Sequence, residues 1–574
     1  IMSDHGMGWP GGWSDPDPAG APTRSLPLSS ALGDQLYLME MDEALQKIRA
    51  QTGIDQLELI GLDACLMGHI EVMSALAPHA RYAVLSQETE PALGWAYTSF
   101  LQALTESPDM DGAQLGRHIV ESYITEDQRI VDDQARLELV GRGLSLGGML
   151  WGGAPSAEQI SGQFEGASTL TAVDLSALPQ VMASVNDLAY ALTQVDQRAV
   201  AQARTYAQSF TSIFGSSVPP SYLDLGNFVQ LAARATGNAE INQKAQQVLA
   251  AVNQAVVAEK HGAQKPGASG ISIYFPNSEL YRSPVAGPQS YTVAAGRFAQ
   301  ESLWDDFLAY HYTKRPFQPA TTNVVVPGRA DTVIPVGSGG IQVSPVRLSG
   351  NVAAPGRPVL LSADVRGENV GYVYLFVGYL DRQSNSLFIA DMDYLESNRT
   401  YKIDGVYYPD WGDGAFTLEF EWEPFVLAID DGVHSEVALF TPQAYGASPE
   451  EAVYTVDGTY TYADSGDRRK ARLHFVNGVL QRVYGFTGEA GVGAPREILP
   501  QVGDTFTITE TWMELDQSGQ ATQTVTQDGG TLTFGNQAFT WKELDAAPGE
   551  YIVGFMVRDL DGQGQEAYAP VQVR

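Results

Sequence analysis

Along residues 1 to about 315, apolar positions recur at two alternating spacings. Tyr37 to Ala50 (YLMEMDEALQKIRA) carries Leu38, Met41, Leu45 and Ile48 at helical spacing, which predicts a helix with one apolar face. Leu57 to Leu62 (LELIGL) is a short continuous apolar run and predicts a buried strand. Leu66 to Leu76 returns to the helical period through Ile70, Met73 and Leu76, and Tyr82 to Leu85 predicts a further short strand. More helices are expected at about 112–126, 174–195, 197–210, 224–236 and 239–259. Gly270 to Pro276 (GISIYFP) reads as one more buried strand and Glu301 to Tyr312 as a final helix. Strands and helices in alternation imply right-handed crossovers and an α/β layer built on a mostly parallel sheet.

Near residue 315 the pattern changes. Pro316, Pro319, Pro327 and the run Gly337-Ser338-Gly339-Gly340 mark a linker. Beyond it, Val359 to Val365, Tyr372 to Val377, Leu473 to Val476 and Thr505 to Trp512 alternate with period two. Asp404-Gly405, Asp413-Gly414, Asn477-Gly478 and Asp561-Gly562 supply turns. This half is predicted to be all-β and sandwich-like. The expected organisation is therefore an α/β domain at 1–315, a linker at 316–345, and β domains at 346–452 and 453–574.

Composition narrows the functional classes. The chain holds 68 acidic and 34 basic residues, a net charge of −34, which repels phosphate backbones and argues against nucleic-acid binding. The same charge attracts cationic substrates or Ca²⁺. No apolar run of about 18 residues occurs, so no transmembrane segment is expected. Cys65 is the single cysteine, which excludes an internal disulfide framework and any Cys-based metal site. A lone cysteine is most often a small buried hydrophobe.

Two segments give Cys65 another context. Asp4-His5-Gly6-Met7-Gly8-Trp9 follows the end of a strand, and Gly61-Leu62-Asp63-Ala64-Cys65-Leu66-Met67 marks a strand end and a helix start. Functional groups in open parallel sheets collect at such carboxyl ends. A cysteine at a helix N-terminus gains thiolate character, and a histidine within reach can protonate a leaving amine. Gly6 offers an unobstructed N–H to an oxyanion. Asp63, two residues before the thiol, points to the same side as Cys65 and suits a pocket for a cationic side chain.

These segments, followed by Ser86-Gln87-Glu88-Thr89-Glu90-Pro91-Ala92-Leu93-Gly94-Trp95-Ala96-Tyr97, resemble the clostripain-like cysteine peptidases of the caspase-like fold. The resemblance continues more loosely through Val173 to Ser176, Asp224-Leu225-Gly226 and GISIYFP, covering about residues 1–312. It implies a His5–Cys65 dyad, acyl transfer through a thioester, and cleavage of protein or peptide substrates after Arg or Lys. Asp63 is the best match for the specificity carboxylate, with Glu88 and Glu90 as further candidates and Trp95 as a wall. It also implies self-processing in the loop after His5, where Arg24 is the expected cut. In the family pattern, strands and helices precede the Asp-His-Gly motif, so the sheet here is expected to lack a flank. A secreted or cell-surface monomer is expected.

Other features read blandly. His69 and His118 are taken as structural. Asp559 to Glu566 lacks the ligand set of a calcium loop and is expected to be a hairpin turn. The pairs Asp391/Asp393 and Asp410/Asp413 can hold Ca²⁺, but no spacing demands it; no metal or other cofactor is needed for the chemistry. The aromatic-rich β domains are candidates for binding a cell-surface or carbohydrate ligand. The competing reading is a catalytically inactive adhesion protein with a peptidase-like head.

Overall fold

The computed structural model describes residues 1–14, 26–33, 35–141, 155–215, 218–319, 322–325, 332–448, 452–488, 491–516 and 521–574. Its first half is built on a five-stranded sheet, β1 (Met2–Ser3), β2 (Leu57–Asp63), β3 (Ala80–Leu85), β4 (Thr169–Asp174) and β5 (Val256–His261), in that order. The first three strands are parallel and the last two join antiparallel, so the sheet is mixed.

Both faces of the sheet are covered. Ile60, Leu62, Ala83, Leu85 and Val173 enter a large core shared with the helices Leu38–Thr52, Ile70–Leu76, Leu178–Leu192, Leu225–Thr236 and Ala239–Ala255. Val84, Leu170 and Ala172 point the other way, into a smaller core with Tyr97–Glu106, Gly112–Ser122 and Ala157–Glu165. Burial on both faces explains why these strands read as continuous apolar runs.

The structure departs from the expected elements at residues 256–261 and 64–69. Residues 256–261 form β5 rather than the tail of a helix, because the edge of β4 takes up their backbone groups. The expected buried strand at Ser272–Tyr274 is present, paired with Tyr222–Asp224 in a separate ribbon. Residues 64–69, expected to open a helix, form a turn, and the helix starts at Ile70.

Among the described residues, the β half contains two large cores and a smaller apolar cluster of Phe376, Leu387, Ile389 and Met513. Strand Val359–Arg366 buries Val359, Leu361, Ala363 and Val365 against Val373, Leu375, Val553, Phe555, Val557 and Val571. The second core gathers Ile429, Phe440, Tyr460, Leu473, Phe475, Phe506, Leu532 and Phe539. Strands Gly549–Asp559 and Gly564–Val573 pair with each other, and the former pairs with Val370–Asp381. The last strands therefore complete the first core, and the second core is an insertion within it. The expected join at 452/453 does not separate two consecutive sheets. Period-two alternation identifies strands but not partners, and these partners lie far apart in the chain.

The turn 559–563 docks the β half on the α/β half. Asp559 Oδ1 accepts the Asp561 and Gln563 amides, and Asp561 accepts the Ser278 amide at 2.9 Å. A second contact comes from the inserted core, through strands β6 (Val479–Phe486) and β7 (Pro495–Ile498), which are paired antiparallel. No described helix is long and apolar enough to cross a membrane.

Val553, Phe555, Val557, Val571 and Val573 each contribute about 1.5–3 kcal/mol by burial, together comparable with a whole domain's stability of about 5–15 kcal/mol. A chain ended after Asp545 should therefore lose the fold of residues 359–394. Limited proteolysis should cut there, where the full chain resists.

Candidate active site

Strand register sets the site. β1 pairs with β2 through Met2 opposite Leu62 and Ser3 opposite Asp63. His5 and Cys65 each lie two residues beyond the Ser3–Asp63 pair, so they leave adjacent parallel strands at the same level. Beyond β1 the chain folds back on itself, with the Trp13 amide donating to the His5 carbonyl at 2.9 Å and the Met7 amide to the Gly11 carbonyl at 2.8 Å. Gly8 and Gly11 take positive φ angles of 75° and 115°, which side chains disfavour. Trp9 anchors the turn between Phe214, Tyr274 and Tyr291.

Gly6 lies directly on the Cys65 turn. A Cβ at this position would stand 2.1 Å from the Cys65 carbonyl oxygen and 2.8 Å from Met67 Cγ. The turn itself is held by Leu66 in the left-handed region (φ 63°), with the Leu66 amide donating to the Glu88 carbonyl and the Gly68 amide to the Ser86 carbonyl. Cys65 is thus not at a helix N-terminus, and those amides are already used. The donor at Sγ is instead the Glu90 amide, at 3.2 Å.

The electrostatics hold both groups neutral. Burial, opposed by the Glu90 amide and reinforced by the charges of Glu90, Glu88 and Glu497, pushes the Cys65 thiol far up. Burial lowers the His5 imidazole, with Arg496 and Arg469 adding to the effect and Asp4 opposing it. Asp4 Oδ1 lies 3.7 Å from His5 Nε2. An uncharged imidazole is a competent proton acceptor, but an uncharged thiol is a poor nucleophile.

Beside the thiol is a buried acidic cluster. Asp63 accepts the Tyr97 hydroxyl at 2.8 Å, and Glu90 Oε2 accepts Trp95 Nε1–H at 3.1 Å. Glu90 Oε1 is buried without a hydrogen-bond partner. Burial first, then the Asp63 charge, raises the Glu90 carboxyl well above the ordinary range. A Cβ on Gly94 would lie 2.8 Å from Asp63 Oδ2, so a side chain there would crowd the carboxylate. The buried Tyr123 hydroxyl has no partner, and it feels the charges of Glu90 and Asp63.

Glu88, expected beside this cluster, is engaged elsewhere. It forms an ion pair with Lys265 at 2.7 Å and accepts the Thr89 and Thr211 amides. Gln87 fixes the loop, donating to Asp224 and Ser272 at 3.0 Å each and accepting the Gly270 amide at 2.9 Å. The segments around Gln87, Asp224 and Gly270 thus converge behind the site. His69 is fully buried, 3.3 Å from Glu71 and edge-on to Tyr222, and His118 lies 3.1 Å from the Ser99 hydroxyl. Arg24 lies outside the described residues. Among those residues, no group of three or more His, Cys, Asp and Glu is arranged to hold a metal ion.

The sequence profile of the clostripain family matches residues 1–311, more than half of the chain. The chain belongs to the clostripain family of cysteine peptidases. No curated protein matches it. Among solved structures it is similar to a secreted C11 cysteine protease from Bacteroides thetaiotaomicron in complex with an irreversible peptide inhibitor. That match has 18% identity and a TM-score of 0.30, over 51% of this chain and 70% of that one. A cysteine protease from B. fragilis matches at 18% identity and a TM-score of 0.27, over 47% and 96%. An inactive zymogen C11 protease from Parabacteroides distasonis matches at 14% and 0.32, over 53% and 68%.

Several groups around the clostripain-family motifs were not singled out by sequence. Tyr97 closes the Gly94-Trp95-Ala96-Tyr97 segment and was within reach of the same motif reading. Tyr123, Arg496 and Glu497 carry no local signal; only the fold brings them to the site.

Two outcomes follow from this geometry. Gly6→Ala should cost about 1–3 kcal/mol or more through overpacking, read as a lowered midpoint in denaturant. Alkylation of Cys65 by iodoacetamide should be slow near neutral pH and rise about tenfold per pH unit, without a plateau up to about pH 9, because the thiolate remains a minor species. A plateau near neutral pH would show an activated thiolate instead.

Proposed function

We propose that this chain is a cysteine endopeptidase that cleaves after Arg or Lys. The observation that carries this reading is the common level of His5 and Cys65 beyond the paired residues Ser3 and Asp63. His5 takes the thiol proton as Cys65 Sγ attacks the scissile carbonyl, then returns it to the leaving amine. Water hydrolyses the resulting thioester. Gly6, packed on the Cys65 carbonyl, is the candidate donor to the oxyanion.

Asp63 and Glu90 receive the cationic side chain, with Trp95 as a wall of the pocket. The Trp95 and Tyr97 hydrogen bonds that orient the two carboxyl groups support this role. Burial and the Asp63 charge disfavour ionisation of Glu90, and the arrival of a guanidinium or ammonium would oppose that effect. Glu88, paired with Lys265, is given no part. Self-cleavage at Arg24 and secretion complete the reading, the latter in keeping with the secreted relative from B. thetaiotaomicron.

Purified chain should hydrolyse fluorogenic peptides with Arg or Lys before the scissile bond, and Cys65→Ala should abolish both this activity and any cut at Arg24. Asp63→Asn should raise KM for cationic peptides by about tenfold to a hundredfold, the loss of a buried charge-assisted contact of about 1.5–3 kcal/mol. Activity that survives in Cys65→Ala would falsify the assignment.

A further inference from the structure

Glu88 takes no part in the Asp63–Glu90 cluster, yet both ends of this residue hold the Cys65 turn. Its carbonyl accepts the Leu66 amide at 3.1 Å, one residue past the thiol. Its carboxylate accepts the Thr89 amide at 2.7 Å, and the next amide, that of Glu90, meets Sγ at 3.2 Å. The Thr211 amide reaches the same carboxylate at 3.2 Å, and the Glu88 amide donates to Thr169 Oγ1 at 2.9 Å. Farther along the segment, the Ala92 amide donates to Glu497 of β7 at 2.6 Å.

Glu88 is 2% exposed, so its charge needs a partner inside the fold. Lys265 is that partner, at 2.7 Å. The same ammonium donates to the Ser209 carbonyl at 3.1 Å and lies over the Phe210 ring. The loop that carries it is built by other contacts. The Gln264 amide donates to the Gly166 carbonyl, the Ala268 amide to the Lys265 carbonyl, and the Gly267 amide to the Gln208 side chain. From the β half, Val406 lies so close to Gly267 that a Cβ there would stand 2.5 Å from it. The contacts of the ammonium therefore lead toward the thiol: ammonium to the Glu88 carboxylate, carboxylate to the Thr89 amide, and the adjoining amide to Sγ.

We propose that Lys265 is a positioning residue for the nucleophile, acting through Glu88 to hold the Glu90 amide on Cys65 Sγ. The proposal rests on the reading of Cys65 as the nucleophile. Pairing has two effects. A carboxylate kept in place fixes Thr89, and with it the aim of the following N–H. Pairing also offsets part of a negative charge that opposes a thiolate at Cys65. Removing the ammonium alone would leave a buried charge uncompensated, whereas neutralising both partners would not.

The test uses the full chain and reads two quantities: iodoacetamide alkylation of its single thiol at one pH, and kcat and KM on an Arg- or Lys-containing fluorogenic peptide. Lys265→Met should slow alkylation and lower kcat, each about tenfold or more, with KM within about twofold. Adding Glu88→Gln, which removes the charge but keeps an acceptor for both amides, should bring both rates back to within about threefold of the parent. Unchanged or faster alkylation in Lys265→Met overturns the proposal, because a merely structural lysine would loosen the loop and expose the thiol. Slowing that Glu88→Gln does not relieve also overturns it, as does a raised KM at constant kcat. Slowed and relieved alkylation with no hydrolysis in any of these chains leaves the positioning role standing and sinks the peptidase reading. Should Lys265→Met alone fail to fold, two charge-free double variants decide. Lys265→Met with Glu88→Ala, which lacks the acceptor, should be alkylated about tenfold more slowly than Lys265→Met with Glu88→Gln; equal or faster alkylation overturns the proposal.

Discussion

Two rungs of parallel pairing, Met2 with Leu62 and Ser3 with Asp63, are the constraint on which the candidate site depends. A slip of one residue would turn every side chain of β1 to the other face and carry His5 away from Cys65. So short a strand cannot hold its register alone. The register is locked beyond the strand, where Gly6 rests on the Cys65 carbonyl and Trp9 is gripped by Phe214, Tyr274 and Tyr291. The glycines after His5 are thus steric requirements: one permits the contact, and two permit the turn that delivers the tryptophan.

The legibility of the fold followed the range of the interactions. Helices with a one-sided apolar face, such as Leu38–Thr52 and Leu178–Leu192, were readable because the pattern is local. Residues 256–261 were not, because Val-Val-Ala-Glu-Lys-His has no alternation and continues the composition of the helix before it; the open edge of β4 decides its state. The turn at 64–69 escaped for a similar reason. Its apolar spacing is helical, but Leu66 and Gly68 give their amides to the Ser86–Glu88 segment, a partner only the folded chain supplies. In the β half the strands were visible and their pairing was not, so the closing of the first core by residues 549–573 had no sequence signature.

At the site the same division holds. His5, Cys65, Asp63, Glu90 and Trp95 stand in short motifs, and the structure brings them together. Glu88 stands in the same motif, and its carboxylate is turned to Lys265, about 180 residues on in a segment without any motif of its own. A motif therefore told which residues gather near the thiol but not which carboxylates remain unpaired. That second question belongs to the whole protein's charge arrangement, as the contributions of Glu497 and Arg496 from the β half make plain.

The acidic surroundings of Cys65 have opposite effects on an empty and an occupied site. With no cation present, the carboxylates of Glu88 and Glu497 and the burial of the thiol all disfavour the thiolate. A cationic side chain held by Asp63 and Glu90 would offset part of that field at short range, where a low dielectric makes each charge count. On the peptidase reading, the side chain that is recognised is then also the charge that eases deprotonation of the nucleophile.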